Sequence, residues 1–108
     1  MNSYKVFLTS AARAQLRGHI DYIHYHLRNP IAARSVWEDA GRTIDALSSM
    51  AGSMKKCNHP LLAQRGYHVI RYAKHDYVML YRVEANVVYV EGIFHQMQDY
   101  ENIFAESI

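Results

Sequence analysis

Apolar positions along this 108-residue chain change their spacing several times, and each change marks an element. Tyr4 to Leu8 (Tyr-Lys-Val-Phe-Leu) reads as a short opening strand. Thr9-Ser10 then offers a helix N-cap, and Ala12, Leu16, Ile20, Ile23 and Leu27 follow at steps of four, four, three and four, which places them on one helical face. That helix should stop near Arg28-Asn29. Asn29-Pro30 restarts one, because Asn caps well and Pro costs nothing in a first turn whose N–H has no partner. Ala33, Trp37, Ala40, Ile44 and Leu47 continue the helical period to about Ser49. Two helices joined by so short a turn pack antiparallel, as a hairpin.

Residues 50–66 keep no period. Gly52, Asn58-His59-Pro60 and Gly66 mark a loop with room for one irregular turn. Three runs rich in Val, Ile and Tyr come next, Tyr67–Tyr72, Tyr77–Val83 and Val87–Phe94. The short turns between them predict an antiparallel meander, and the tail from Asp99 to Phe104 predicts a last helical turn. The order β-α-α-β-β-β, without repeat or linker, predicts one α+β domain over residues 1–108. The helical stripes need a cover, which one sheet face provides. The other face is expected to be free, concave and functional.

Composition adds function classes. Half the residues are hydrophobic and a fifth charged, which is globular and argues against disorder. The single Cys57 can form no internal disulfide, as suits a reducing compartment. The opening Met-Asn-Ser-Tyr-Lys shows no signal-peptide pattern, and no apolar run approaches the roughly 18 residues of a membrane span. A cytoplasmic protein with no membrane partner is therefore expected. Nine tyrosines against three phenylalanines suit a sheet surface that docks a partner or stacks on bases. Charge is segregated: residues 55–82 hold six Lys/Arg against Asp76 alone, and residues 83–108 hold five acids and no Lys or Arg. The basic middle suits a phosphate-bearing or acidic partner. His19, His24 and His26 share one helix, but His24 and His26 point apart and no Cys/His pair has zinc-ligand spacing, so no metal or cofactor is expected.

Several pieces together resemble the RelE/ParE toxin superfamily of bacterial type II toxin–antitoxin systems. They are the opening Tyr-Lys-Val-Phe-Leu-Thr-Ser-Ala-Ala, Asp21-Tyr22-Ile23, Leu27-Arg28-Asn29-Pro30-Ile31-Ala32-Ala33, Gly66 to Tyr72, Asp76 to Val83 and Val88 to Tyr100. The resemblance covers nearly the whole chain in order. It implies a toxin held inactive by a cognate antitoxin whose extended and helical segments wrap it, with higher-order complexes to be expected.

Two targets follow from it. One branch cleaves mRNA on the ribosome without metal, the ribose 2′-OH attacking the adjacent phosphate. This needs a base, an acid, fixed cations and an aromatic platform. The resemblance puts Arg71 and Tyr100 in those catalytic roles, Arg82 on the third strand and His95 after the last one are the further catalytic candidates, and Lys55, Lys56 and Lys74 are candidates to bind RNA. Alternation frees Arg71 from the face of Ile70 and Tyr72, and His95 is the best acid or base available. Departures are visible: Val69 and Val78 stand where bases are expected, and the tail is acidic. The other branch poisons DNA gyrase and does no chemistry, and His95…Asp99 with the long Asn-Pro hairpin resembles it. RNA cleavage ranks first by a small margin. A non-toxic module that only binds antitoxin is the third reading.

Overall fold

The computed structural model describes residues 3–108; Met1 and Asn2, from the start of the opening run, lie outside the described residues. The first strand β1 (Lys5–Leu8) leads into α1 (Ser10–Asp21), whose Thr9 cap accepts the Ala12 amide at 3.2 Å. The helix then widens into one π turn, Tyr22–His26, and Arg28 reverses the chain at φ 52°. Asn29 Oδ1 accepts the Ala32 amide at 3.0 Å and opens α2 (Pro30–Met50), as the Asn-Pro signal predicts.

A 3-10 turn (Ala51–Ser53) and a five-residue helix α3 (Pro60–Gln64) occupy the segment expected to be a loop. They escaped the periodicity because neither is long enough to show one. Gly66 turns the chain at φ 82°, a conformation that Gly adopts without a Cβ penalty. Then come β2 (Tyr67–Arg71), β3 (Tyr77–Glu84), β4 (Val87–His95) and α4 (Tyr100–Ser107). The strands form one sheet in the order β1-β4-β3-β2. The meander is antiparallel, while β1 lies parallel to β4 with Lys5 opposite Val87 and Leu8 opposite Val90. The α+β class and the element order are as predicted.

Two apolar cores flank the sheet. The larger joins Ala12, Leu16, Ile23, Ala33, Val36, Ala40 and Leu47 of the hairpin to Ile70, Tyr72, Met79, Tyr81, Val88, Val90 and Ile93. Tyr81 is fully buried there, and its hydroxyl donates to the Ala51 carbonyl at 2.7 Å. Trp37, placed on the buried stripe by its spacing, is instead 57% exposed. The buried side of α2 runs through Val36, Asp39, Ala40 and Thr43, which leaves Trp37 at the stripe's border.

The second core corrects the expectation of a free face. Cys57, Leu62, Tyr67, Val78, Leu80, Phe94 and Phe104 cluster on the other side of the sheet, with Val69, Tyr100 and Ala105 against them. Thus α3 packs beside β2 and α4 lies against β4, and together they cover that side. Gly92 makes the closure feasible: a Cβ there would lie 2.6 Å from the Phe94 ring and 3.3 Å from that of Phe104.

Candidate functional site

Strand alternation decides which side chains can work together. Arg71 falls between Ile70 and Tyr72, both in the hairpin-side core, so it points to the α4 side and is exposed. Its cross-strand neighbour Val78 pairs in turn with Phe94, both in the second core. His95 follows Phe94 and therefore faces the hairpin side. There its ring meets that of Tyr77 edge-on at 5.2 Å, and Tyr77 also packs on His19 at 4.8 Å. Burial, and then nearby His95, lower the His19 imidazole from its usual value. Arg71 and His95, expected on one surface, thus lie on opposite faces of the sheet. Sequence could suggest each residue's exposure but not this register.

The remaining expected residues are similarly dispersed. Arg82 is held by Glu84 at 2.6 Å and by Glu91, and its guanidinium lies 4.5 Å from the Tyr89 ring centroid. The hydrogen bond it donates to Glu84, and then that to Glu91, raise its pKa further. Tyr67 donates to Glu91 at 3.0 Å and completes this network. Tyr100 is half-buried on the second core, where burial raises its phenol and the charge of Arg71 opposes that shift. Arg71 and Tyr100 thus both lie on the α4 side of the sheet.

Lys55 and Lys56 are exposed beside β2, where Lys56 bridges to His68 and the Lys55 carbonyl accepts from Val69 at 3.1 Å. Lys74 is exposed in the β2–β3 turn beyond the other end of that strand. His95 Nδ1 accepts the Met97 amide at 3.1 Å, and Gln98 accepts the His95 amide at 2.9 Å, so the residue also orders the corner into α4. Among the described residues, no three His, Cys, Asp or Glu side chains converge as a metal would require.

One polar cluster had no forecast. Asp39 on α2 is fully buried, and its Oδ2 accepts from the Lys74 amide (2.9 Å), the His75 amide (2.8 Å) and His75 Nδ1 (2.8 Å). Burial alone would raise its pKa. The bond from the His75 ring and those from the two amides outweigh this and hold the carboxyl below the usual aspartate value. The one available signal was an acid at a core-facing helical position, three residues after Val36 and four before Thr43.

A groove opens where β1 meets the hairpin. Val6, Leu8, Leu16, Ile20, Trp37 and Ile44 line a cavity of about 370 Å³, with Arg13 and Arg17 also on its wall. Beside it Trp37 joins Ala33, Pro30 and Arg34 in a second hollow. This apolar trough edged by arginines matches an amphipathic segment with acidic flanks. No helix among the described residues is long and apolar enough to cross a membrane.

The comparisons agree with this architecture. No curated protein matches the sequence. The fold is similar to a solved structure described as the chromosomal ParDE TA system from P. aeruginosa: identity is 17%, 86% of this chain and 96% of that chain are covered, and the TM-score is 0.71. At that identity the likeness is one of fold. Residues 6–100 match the family model described as the ParE toxin of the type II toxin-antitoxin system, parDE. Since that match spans nearly the whole chain, the chain belongs to the ParE family of toxins of type II toxin–antitoxin systems.

Proposed function

We propose that this toxin acts in the cytoplasm by docking on DNA gyrase and blocking it, with no bond-breaking chemistry of its own. The observation that carries the reading is the opposition of Arg71 and His95 across the sheet. Metal-free RNA cleavage needs base, acid and cations around one phosphate, within hydrogen-bond reach of it. Arg82 is engaged by two carboxylates besides. A docking inhibitor needs only a surface. On this reading Arg71, Lys55, Lys56 and Lys74 are docking charges, Tyr100 packs on the second core, and His95 orders the corner before α4.

The partner that silences the toxin is an antitoxin whose amphipathic segment fills the groove around Trp37, its acids meeting Arg13, Arg17 and Arg34. Toxin and antitoxin then assemble into a higher-order complex.

The test is a supercoiling assay with purified gyrase and relaxed plasmid, run beside translating ribosomes carrying a reporter mRNA. Loss of supercoiling with intact mRNA is expected. Cleaved mRNA, with cleavage abolished in His95→Ala, would overturn the gyrase reading in favour of the ribonuclease. Normal growth on expression without antitoxin would instead identify a non-toxic binding module.

A further inference from the structure

Ser35 and Asp39 lie one turn apart on α2, and His75 reaches both from the β2–β3 turn. The His75 Nδ1–H donates to Asp39 Oδ2 at 2.8 Å, which leaves Nε2 as the ring's basic nitrogen. That nitrogen is 3.3 Å from Ser35 Oγ. A hydroxyl, a base and a buried carboxylate that orients the base are thus in line, the arrangement that activates a serine. Three other helical serines behave differently. Ser48, Ser49 and Ser107 each donate to the backbone carbonyl three residues back, at 2.6, 3.3 and 2.7 Å. Among the described residues only Ser35 Oγ meets an imidazole. The His75 side chain is 27% exposed and Ser35 is half-buried, so the pair is open to a small reagent.

We infer that Ser35 is a base-activated nucleophile, and therefore a site for covalent modification by a phosphoryl electrophile. Charge selects the class: Arg42 Nη2 lies 3.9 Å from Asp39, so a guanidinium stands beside the site, and Lys74 precedes His75 in the chain. In the step, Ser35 Oγ bonds to phosphorus, its proton passes to His75 Nε2, and the leaving group departs with the electron pair of its bond to phosphorus. Ser35 lies in the second turn of α2, with its own amide committed to the helix ladder. It therefore has no adjacent free N–H pair to hold an oxyanion. The expected outcome is capture of one group per molecule, without turnover. A phosphoryl group on Ser35 would set negative charge against Asp39 and strain the turn that Asp39 anchors.

The experiment treats the full-length toxin with a fluorophosphonate probe, which loses fluoride on capture, and maps the adduct by mass spectrometry. Labelling at Ser35 should exceed that at the exposed Ser10 and Ser49 by about 100-fold, the scale of general-base assistance. His75→Gln should remove that excess. Asp39→Asn should slow labelling and displace its pH profile, which loss of packing alone would not do. Equal labelling of Ser35, Ser10 and Ser49 in the wild type would overturn the inference, and so would full reactivity in a folded His75→Gln protein. The comparison of serines within the wild type decides the matter even where a variant fails to fold.

Discussion

Asp39 and His75 are 36 residues apart in sequence and joined by a 2.8 Å hydrogen bond between side chains, with the His75 amide on the same carboxylate oxygen. This contact ties the β2–β3 turn to the middle of α2. It fixes where Lys74 emerges, and it makes a fully buried acid part of the fold.

Asp39→Ala should therefore cost about 1–3 kcal/mol, since it removes the acceptor of two amides and an imidazole at a part-buried corner. The acid dependence has a definite sign. The folded carboxyl titrates below its unfolded value of about 3.9, so its stabilisation is present above that value and is lost as the pH falls through the lower, folded pKa. Urea midpoints measured from about pH 5 downward should decline less steeply in Asp39→Asn than in the wild type.

Cys57 reports on the second core. Burial, reinforced by the charge of Glu101, pushes its thiol up to about 12. The folded protein should resist iodoacetamide at pH 8, because the thiolate is the nucleophile and is nearly absent. Protection should end when α3 and α4 separate from the sheet, and rapid labelling in native buffer would show that this core is not closed. The linked stability is complete below the unfolded thiol value of about 8.5 and declines as the pH rises from there toward 12.

Gly92→Ala attacks the same core from the sheet. The added methyl must displace the rings of Phe94 and Phe104. A loss of about 1–3 kcal/mol is expected on overpacking grounds, with protease cleavage near Asp99–Tyr100 faster than in the wild type. An unchanged melting temperature together with unchanged cleavage would show that the two rings give way freely.

Trp37 should separate neutralisation from toxicity. At 57% exposure its removal leaves the core intact, yet it lines the groove and the hollow beside it. Trp37→Glu should weaken antitoxin binding by at least about 100-fold, as loss of an aromatic anchor does, while gyrase inhibition persists. Titration calorimetry and the supercoiling assay would check the two halves independently.

Local patterns determined much of this protein. The steps of three and four from Ala12 to Leu47, the Thr9 and Asn29 caps and the short turns at 73–76 and 85–86 each depend on residues close in the chain, so they were legible directly. They suffice for the β-α-α-β-β-β order and the antiparallel meander. The parallel docking of β1 on β4, the second core under α4 and the sidedness of Arg71 and His95 depend on contacts between distant segments. The bulge between β3 and β4, where Tyr81 pairs with Val90 and Leu80 with Gly92, shifts register by one residue and carries no periodic signal of its own. The cluster of Ser35, Asp39 and His75 was hidden for the same reason. Only folding brings a turn residue against a helix formed more than thirty positions earlier, and a long-range contact of that kind leaves no mark on local spacing.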